Sequence, residues 1–161
     1  MSATVRPARP ADAPALWALL NGLAKYERLE PEVTGTAEAL GHHLFGAAPS
    51  VEGLVAEEDG VLVGYALFFT VFSSFRTVTR FWLEDLFVVP ERRGSGLGRR
   101  LLAEVARRAR ERGAAGVSWI VLDWNTDAIG FYDGLGARPA EGGWITYSLS
   151  GPAFESLAAG G

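Results

Sequence analysis

The sequence contains no cysteine among its 161 residues. A disulfide framework, a thiolate metal site and a cysteine nucleophile are therefore excluded. Histidine is nearly as scarce, because the only two, His42 and His43, are adjacent. Neighbouring residues on a helix point about 100° apart. We therefore predict no metal pair and assign these histidines no chemistry.

Long apolar runs are also missing. No run approaches the ~20 residues that span a bilayer, and the first ten residues, MSATVRPARP, lack the apolar centre of a signal peptide. We expect a cytoplasmic protein. The length and the 48% apolar content suit one domain over residues 1–161 with a core of its own.

Positive charge is scarce outside one segment. Eight of the fifteen basic residues lie between Arg92 and Arg112, whereas the remaining chain is strongly acidic and the net charge is −4. A basic segment suits a polyanionic ligand and an acidic remainder suits a cationic one. The later arginines of the segment form a solvated helix face in our interpretation. The acidic balance excludes nucleic acid as a partner.

The basic segment begins with a change of sequence period. Phe81 to Val89 is apolar and aromatic, interrupted only by Glu84 and Asp85, and Pro90 follows, which predicts a buried strand. From Leu97 the apolar residues recur at helical spacing up to Gly113. The change from strand to helix falls on the glycine-rich sequence GSGLG at 94–98.

Glycines at the start of a helix let the backbone approach a ligand that the unpaired amides of the first turn can bind. An anion site is therefore predicted. A Walker loop is excluded because Gly98 is followed by Arg99 and Arg100, and a dinucleotide motif is excluded because Arg99 stands at its third glycine. A glycine-rich connection without a ligand remains the alternative.

The remaining elements indicate an α/β domain with a mixed sheet. Their order is β, α, α, β, β, β, α, β, α, β, followed by a terminal helical turn. The later predictions are a loop over Val71 to Arg80, a buried strand over Val117 to Leu122, a short helix over Ala128 to Leu135 and a strand over Trp144 to Leu149. Asp12 is predicted to cap the first helix.

The loop sequence RGSGLG at 93–98 resembles the (Gln/Arg)-x-x-Gly-x-(Gly/Ala) motif of the GNAT superfamily of N-acetyltransferases. The sequences AKYERLE, LEDLFVVPERRGSGLG and WNTDAIGFYDGLGA resemble its diamine (spermidine/spermine) and thialysine branch. The loop FSSFRTVTR is more similar to the thialysine-type relatives than to the polyamine enzymes. This resemblance implies a centrally splayed sheet with helices on both faces, acetyl-coenzyme A as co-substrate, no metal, and a homodimer.

The resemblance also implies roles for individual residues. Glu84 would accept the proton of the amine, usually through water, and Tyr132 would protonate the departing thiolate. Residues implied to bind the cofactor are Leu86, Phe87, Val88, Arg93, Gly94, Ser95, Gly96, Leu97, Gly98, Arg99, Asn125 and Tyr132. Residues implied to bind the cationic substrate are Tyr26, Glu27, Glu84, Asp85 and Trp144.

The transfer of an acetyl group from a thioester to an amine requires such groups. An alkyl amine has a pKa near ~10 and must lose a proton before it attacks a thioester. We expect burial to raise the pKa of Glu84 toward a useful value. Glu84 and Asp85 are adjacent on a strand, so only a bulge would let both line one site. Unpaired strand amides near Leu86 to Val88 would stabilise an oxyanion.

We therefore expect an N-acetyltransferase that acts on a primary amine of a small cationic molecule, such as a polyamine, thialysine or a related diamino acid. Three alternatives remain at this point. They are an acetyltransferase for protein N-termini or lysines, a non-catalytic coenzyme A sensor, and a structural domain without a ligand.

Overall fold

A five-stranded sheet organises the first part of the chain. The computed structural model describes residues 3–160. The chain divides into two units, with the boundary between residues 122 and 123, and each unit is described by itself. The elements of the first unit are β1 (Thr4–Pro7), α1 (Ala13–Glu27), α2 (Ala37–Phe45), β2 (Glu52–Glu58), β3 (Val61–Ser73), β4 (Val78–Val88), α3 (Leu97–Glu111) and β5 (Val117–Ser118).

The strands lie in the order β1-β2-β3-β4-β5. The first four are antiparallel neighbours, and β5 lies parallel to β4 because α3 forms the crossover between them. The predicted mixed α/β sheet is therefore confirmed.

The helices cover both faces of this sheet, as expected. Leu16 and Leu19 of α1 and Leu44 of α2 pack with Tyr65 and other buried residues in one apolar cluster. A Cβ atom built at Gly64 would lie 3.4 Å from a methyl group of Leu101 in α3. Consecutive strand residues face opposite sides. Because Gly64 precedes Tyr65, α3 covers the face opposite to α1 and α2.

The start and end of α1 depend on particular residues. The helix ends at Glu27, and the next residue, Arg28, has a left-handed backbone (φ 61°) and donates its amide to the Lys25 carbonyl. Asp12 precedes the helix, but its carboxylate accepts a hydrogen bond from the Arg9 amide (2.7 Å) and pairs with Arg6 (2.7 Å). It makes no cap bond to α1. The predicted capping role is wrong because the preceding turn and Arg6 engage this carboxylate.

The sheet opens between its last two strands, β4 and β5. β4 pairs with β5 only at Phe81 with Val117 and at Trp82 with Ser118, although β4 continues to Val88. A bulge in β4 follows directly after this pairing. Bulges bend a strand and interrupt its ladder. Within residues 3–122, the part of β4 that follows Trp82 therefore has no neighbouring strand on the edge that faces β5.

Two predicted boundaries are corrected. The strand predicted over Val117 to Leu122 ends at Ser118, because β4 diverges and offers the later residues no partner. The loop predicted over Val71 to Arg80 is mostly strand, because β3 and β4 keep pairing up to Ser73 and Val78. Only residues 74–77 connect them. Local alternation did not reveal this long hairpin because its tip is polar.

The second unit contains α4 (Thr126–Gly134) and α5 (Gly151–Ala158). The predicted strand over Trp144 to Leu149 is wrong, because these residues have no regular secondary structure. A strand needs a neighbour for its backbone groups, and residues 123–160 contain no strand that could supply one. Trp144 is 87% and Tyr147 is 89% exposed.

Along residues 3–160, no helix combines the length and the apolar composition that crossing a bilayer requires.

Candidate functional site

The bulge in β4 lies at Glu84. Leu67 of β3 pairs with Asp85, whereas the next residue, Phe68, pairs with Leu83, so Glu84 is the extra residue. The expectation that two adjacent carboxylates could line one site required such a bulge. The negative charge of Glu84 contributes to a raised pKa at Asp85, which shows that the two carboxylates are close.

Asp85 points to the face that α1 covers. It accepts a hydrogen bond from the hydroxyl of Tyr65, with 3.1 Å between the oxygens. The pKa of Asp85 is raised to about 6, mainly by burial; the Tyr65 hydrogen bond lowers it, and the charges of Glu84 and Glu27 add to the rise. Burial raises the pKa of Tyr65 well above its ordinary value, so this phenol is protonated and acts as the donor.

Glu27 brings a third carboxylate from the last turn of α1. It is half-buried, and burial raises its pKa. We call Glu27, Glu84 and Asp85 the acidic cluster. None of the ion pairs within residues 3–160 involves a member of this cluster. A partly buried group of carboxylates without a cationic partner is unfavourable unless a cation binds to it.

The predicted burial of Glu84 is wrong. Glu84 is exposed, and it accepts a hydrogen bond of 2.9 Å from the indole N–H of Trp82. The bulge is the physical reason, because the extra residue leaves the regular alternation of the strand. Asp85 is the carboxyl group in this pair whose pKa burial raises.

The glycine-rich loop presents a row of free amides. Arg93 and Arg100 donate their amides to Pro90 and Gly96, but within the described residues no hydrogen bond uses the amides of 94–99. Gly94 and Gly96 have left-handed backbones (φ 75° and 82°), and a Cβ atom at either would meet nothing within 4 Å. The space above the loop is therefore open. This geometry suits an anion at the start of α3.

The side chain of Arg93 leans back toward α1. Its guanidinium carbon lies 4.2 Å from the centre of the Tyr26 ring and 5.7 Å from that of Phe87. Its Nε donates to the Val88 carbonyl at 3.1 Å. Arg93 therefore connects the loop to the end of α1, next to the acidic cluster.

The open edge of β4 supplies further donors. The Val89 amide donates to Val63 of β3 at 3.0 Å. Because amides alternate along a strand, those of Val88 and Leu86 point to the opposite edge. There β4 lacks a neighbouring strand among residues 3–122. The prediction that these amides are oxyanion donors stays a prediction, and the missing neighbouring strand is compatible with it.

Three predicted site residues lie in the second unit. The Asn125 side chain accepts a hydrogen bond of 3.3 Å from the Ala128 amide and so caps α4. Tyr132 lies on α4, half-buried, with its ring 5.3 Å from that of Phe131. Trp144 is exposed.

No metal centre is formed within residues 3–160. In this part of the chain no three His, Cys, Asp or Glu side chains, those of the acidic cluster included, are arranged so that they could hold a metal ion. His43 forms a 2.7 Å hydrogen bond with Ser50, and the His42 and His43 rings lie 5.9 Å apart at a steep angle.

Comparison with known proteins assigns this arrangement to a family. The model of the acetyltransferase (GNAT) family matches residues 17–137. The chain belongs to this family. It is similar to the thialysine N-epsilon-acetyltransferases of Sus scrofa (35% identical) and Mus musculus (33%), each over 98% of both chains. The L-ornithine N5-acetyltransferase of Arabidopsis thaliana is 28% identical over 98% of this chain and 88% of its own.

Solved structures agree on the fold. An integron cassette protein from the mobile metagenome of V. cholerae has a TM-score of 0.79 at 22% identity and covers 98% of both chains. An aminoglycoside acetyltransferase from a soil metagenome has a TM-score of 0.76 at 16% identity, over 92% of this chain and 97% of its own. This GNAT protein is an N-acetyltransferase, which confirms the prediction.

Sequence reasoning missed Tyr65, the hydrogen-bond partner of Asp85. A buried tyrosine needs a partner for its hydroxyl, and this was the available signal. The partner, Asp85, is 20 residues away and is identified only by the register of β3 and β4.

Proposed function

We propose that this GNAT protein transfers the acetyl group of acetyl-coenzyme A to a primary amine of a small molecule that carries a second cationic group. A diamino acid such as thialysine is the favoured substrate. One observation carries the proposal. An acidic cluster without a cation lies in the same unit as a loop of free amides, and the Arg93–Tyr26 contact connects the loop to the end of α1.

The loop fits the diphosphate of coenzyme A. Its amides at 94–99 have no partner within the described residues, and left-handed glycines keep the backbone accessible. The first turn of α3 adds the positive end of a helix dipole. Acetyl-coenzyme A would supply the thioester. We assign its diphosphate to the amides of Gly94, Ser95, Gly96, Leu97, Gly98 and Arg99, and we assign Arg93 to holding the start of this loop against α1.

The acidic cluster would receive the cationic substrate. Asp85 is desolvated, and a bound ammonium group would compensate its charge and lower its raised pKa. Glu27 adds a second carboxylate from α1. We assign Asp85 and Glu27 to the ammonium group that is not acetylated, with Tyr26 and Trp144 as further substrate contacts from the resemblance.

Glu84 is the proposed proton acceptor. The amine that reacts must first lose a proton. Glu84 is exposed at the bulge, so water can carry that proton to it. The amides of Leu86 and Val88 face the open edge of β4 and would donate to the thioester oxygen as negative charge develops there. Phe87 packs beneath them in the core.

Two of the proposed residues belong to the second unit. Tyr132 is the proposed acid for the leaving thiolate, and Asn125 is the proposed contact of the pantetheine arm. Both roles rest on the resemblance of WNTDAIGFYDGLGA to the family. The reaction would be a direct transfer in a ternary complex, because the sequence has no cysteine for a thioester intermediate.

The names of the relatives support the substrate class. Thialysine and L-ornithine appear in those names, and both compounds carry two amines. A spermidine/spermine-type relative of Homo sapiens is 28% identical over 91% of this chain and 22% of its own. Polyamines therefore form the second group of substrates to test.

A homodimer is part of the proposal. Trp144, Ile145 and Tyr147 are between 77% and 89% exposed, which is an unusual concentration of exposed apolar surface. A second copy of the chain would cover it. Light scattering after gel filtration would test this, since a monomeric mass at micromolar concentration contradicts the proposal.

An acceptor screen would test the function. The purified protein is incubated with acetyl-coenzyme A and thialysine, ornithine, lysine, spermidine, monoamines of matched length and a peptide panel, and acetylated products are quantified by mass spectrometry. We expect diamino acids to be preferred over monoamines. Preference for peptides would indicate a protein acetyltransferase. Tight coenzyme A binding without any product would indicate a sensor.

A further inference from the structure

Tyr65 places a single polar atom in an apolar environment. The residue is fully buried, and its ring packs in the cluster that joins α1, α2 and the sheet, with the Phe87 ring 6.2 Å away. Packing alone would be satisfied by phenylalanine, which lacks the hydroxyl. A buried hydroxyl requires a hydrogen-bond partner. Here the partner is Oδ2 of Asp85, at 3.1 Å.

This bond leaves the two oxygens of Asp85 in different situations. Oδ2 is held by Tyr65, whereas Oδ1 has no hydrogen bond among residues 3–160. The phenol itself is held rigidly by the core around it. A carboxylate fixed through one oxygen presents the other in a constant direction, so less conformational entropy is lost when a ligand binds.

We propose that Tyr65 is a positioning residue, which fixes Asp85 so that its second oxygen binds the non-acetylated ammonium of the substrate. This inference rests on the proposed function and deepens it. A fixed anion at one depth in the site would select substrates by the distance between their two amines. Tyr65 would therefore contribute to the preference for diamines over monoamines without touching either.

The charges around Asp85 give the proposal a pH signature. Glu84 on β4 and Glu27 on α1 both raise the pKa of Asp85, and the Tyr65 hydroxyl on β3 is the group that lowers it. Removal of the hydroxyl leaves the raising influences unopposed. The ionised form of Asp85, which binds ammonium, would then be lost at a higher pH than in the parent protein.

Tyr65→Phe tests the proposal, with Thr70→Val as the control. Thr70 is exposed on the same strand, so its substitution also removes a hydroxyl from β3 but away from Asp85. Both variants are assayed with thialysine and with its analogue that lacks the α-amino group. We expect Tyr65→Phe to raise the KM for thialysine about 10-fold, with kcat and the kcat/KM for the analogue within about twofold. Thr70→Val should match the parent.

Two further readouts follow the protonation of Asp85. The acid limb of kcat/KM for thialysine should move to higher pH in Tyr65→Phe. A carbon-13 titration of the Asp85 carboxyl group in the free protein should show the same direction of change, and a circular dichroism spectrum should show that the variant is folded.

The outcomes separate the two hypotheses. An unchanged KM and acid limb in a folded Tyr65→Phe protein would overturn the role of Tyr65 and leave the proposed function intact. An equal loss for thialysine and its analogue would also overturn it, because a merely structural role affects both. A parent protein that acetylates no amine would refute the proposed function itself, and the role of Tyr65 with it.

Discussion

The guanidinium carbon of Arg93 lies 4.2 Å from the centre of the Tyr26 ring. This contact joins the start of the glycine-rich loop to the last turn of α1. The Arg93 Nε also bonds to the Val88 carbonyl. Its Nε–H is therefore used within the protein and its guanidinium lies against a ring, so we expect the amides that follow it to be the main donors for a diphosphate.

Arg93→Met should separate these two functions. The variant loses the stacking on Tyr26, worth about 0.5–1 kcal/mol. We expect the KM for the amine to rise more than the Kd for coenzyme A, measured by steady-state kinetics and calorimetry. Arg110→Met is the control, because Arg110 is exposed on α3. A loss confined to coenzyme A binding would mean that the Arg93 guanidinium contacts the diphosphate.

Gly96→Ala should weaken coenzyme A binding. Gly96 has φ 82°, and alanine there is strained by about 1–2 kcal/mol. The loop can relieve this strain only by moving its amides, so we expect Kd to rise about 10-fold or more by calorimetry. Gly113→Ala is a matched control with φ 71° and open space at the other end of α3. It should lose similar stability in thermal melts and retain the parent Kd.

Glu84→Gln and Asp85→Asn should affect different constants. The loss of a proton acceptor lowers kcat by about 100-fold. The loss of the buried carboxylate should instead raise the KM for thialysine and abolish the acid limb of kcat/KM near pH 6, since activity needs the ionised Asp85 whose pKa is about 6. If Asp85→Asn lowers kcat and Glu84→Gln raises only KM, the two roles are reversed.

The site shows what the sequence could and could not predict. The glycine loop and α3 were predicted with their boundaries, because the period changes sharply at residue 96. The two carboxylates could be named, but burial was assigned to Glu84, which is exposed, whereas Asp85 is half-buried and is the one whose pKa burial raises. A single extra residue moves the side chains that follow it to the opposite face of the strand. The alternation of apolar and polar residues does not indicate which residue is the extra one.

The C-terminal part shows a different limit. The residues 144–149 alternate as a strand does, but a strand exists only with a partner. The partner is decided by long-range pairing that no local pattern encodes. In the same way, the Tyr65–Asp85 hydrogen bond depends on the register between β3 and β4. This register shifts by one residue at the bulge opposite Leu67 and Phe68.

Tyr132→Phe tests the proposed acid. The substitution removes the hydroxyl and preserves the ring that packs 5.3 Å from Phe131. We expect kcat to fall by about 100-fold, while the Kd for coenzyme A changes little in calorimetry. Tyr147→Phe, at an exposed tyrosine in the same unit, supplies the control. An unchanged kcat would remove the assigned role of Tyr132.

Asp85→Asn should stabilise the free protein at neutral pH. The folded pKa of Asp85 is raised from 3.8 to about 6. The folded state therefore binds a proton more tightly than the unfolded state, and stability is lost as pH rises from about 4 to above 6. Asparagine carries no charge and can still accept the Tyr65 hydrogen bond. The gain in the free energy of unfolding at pH 7.5 should be up to about 3 kcal/mol.

Urea unfolding at several pH values measures this gain, which should vanish below about pH 4 because Asp85 is then protonated in both states. Asp133→Asn, an exposed aspartate on α4, should show no such pH-dependent gain. A less stable Asp85→Asn protein at every pH would mean that the free protein already balances this charge. A gain that disappears when saturating thialysine is added would instead show that the substrate's ammonium compensates Asp85, since binding to the parent alone stabilises it.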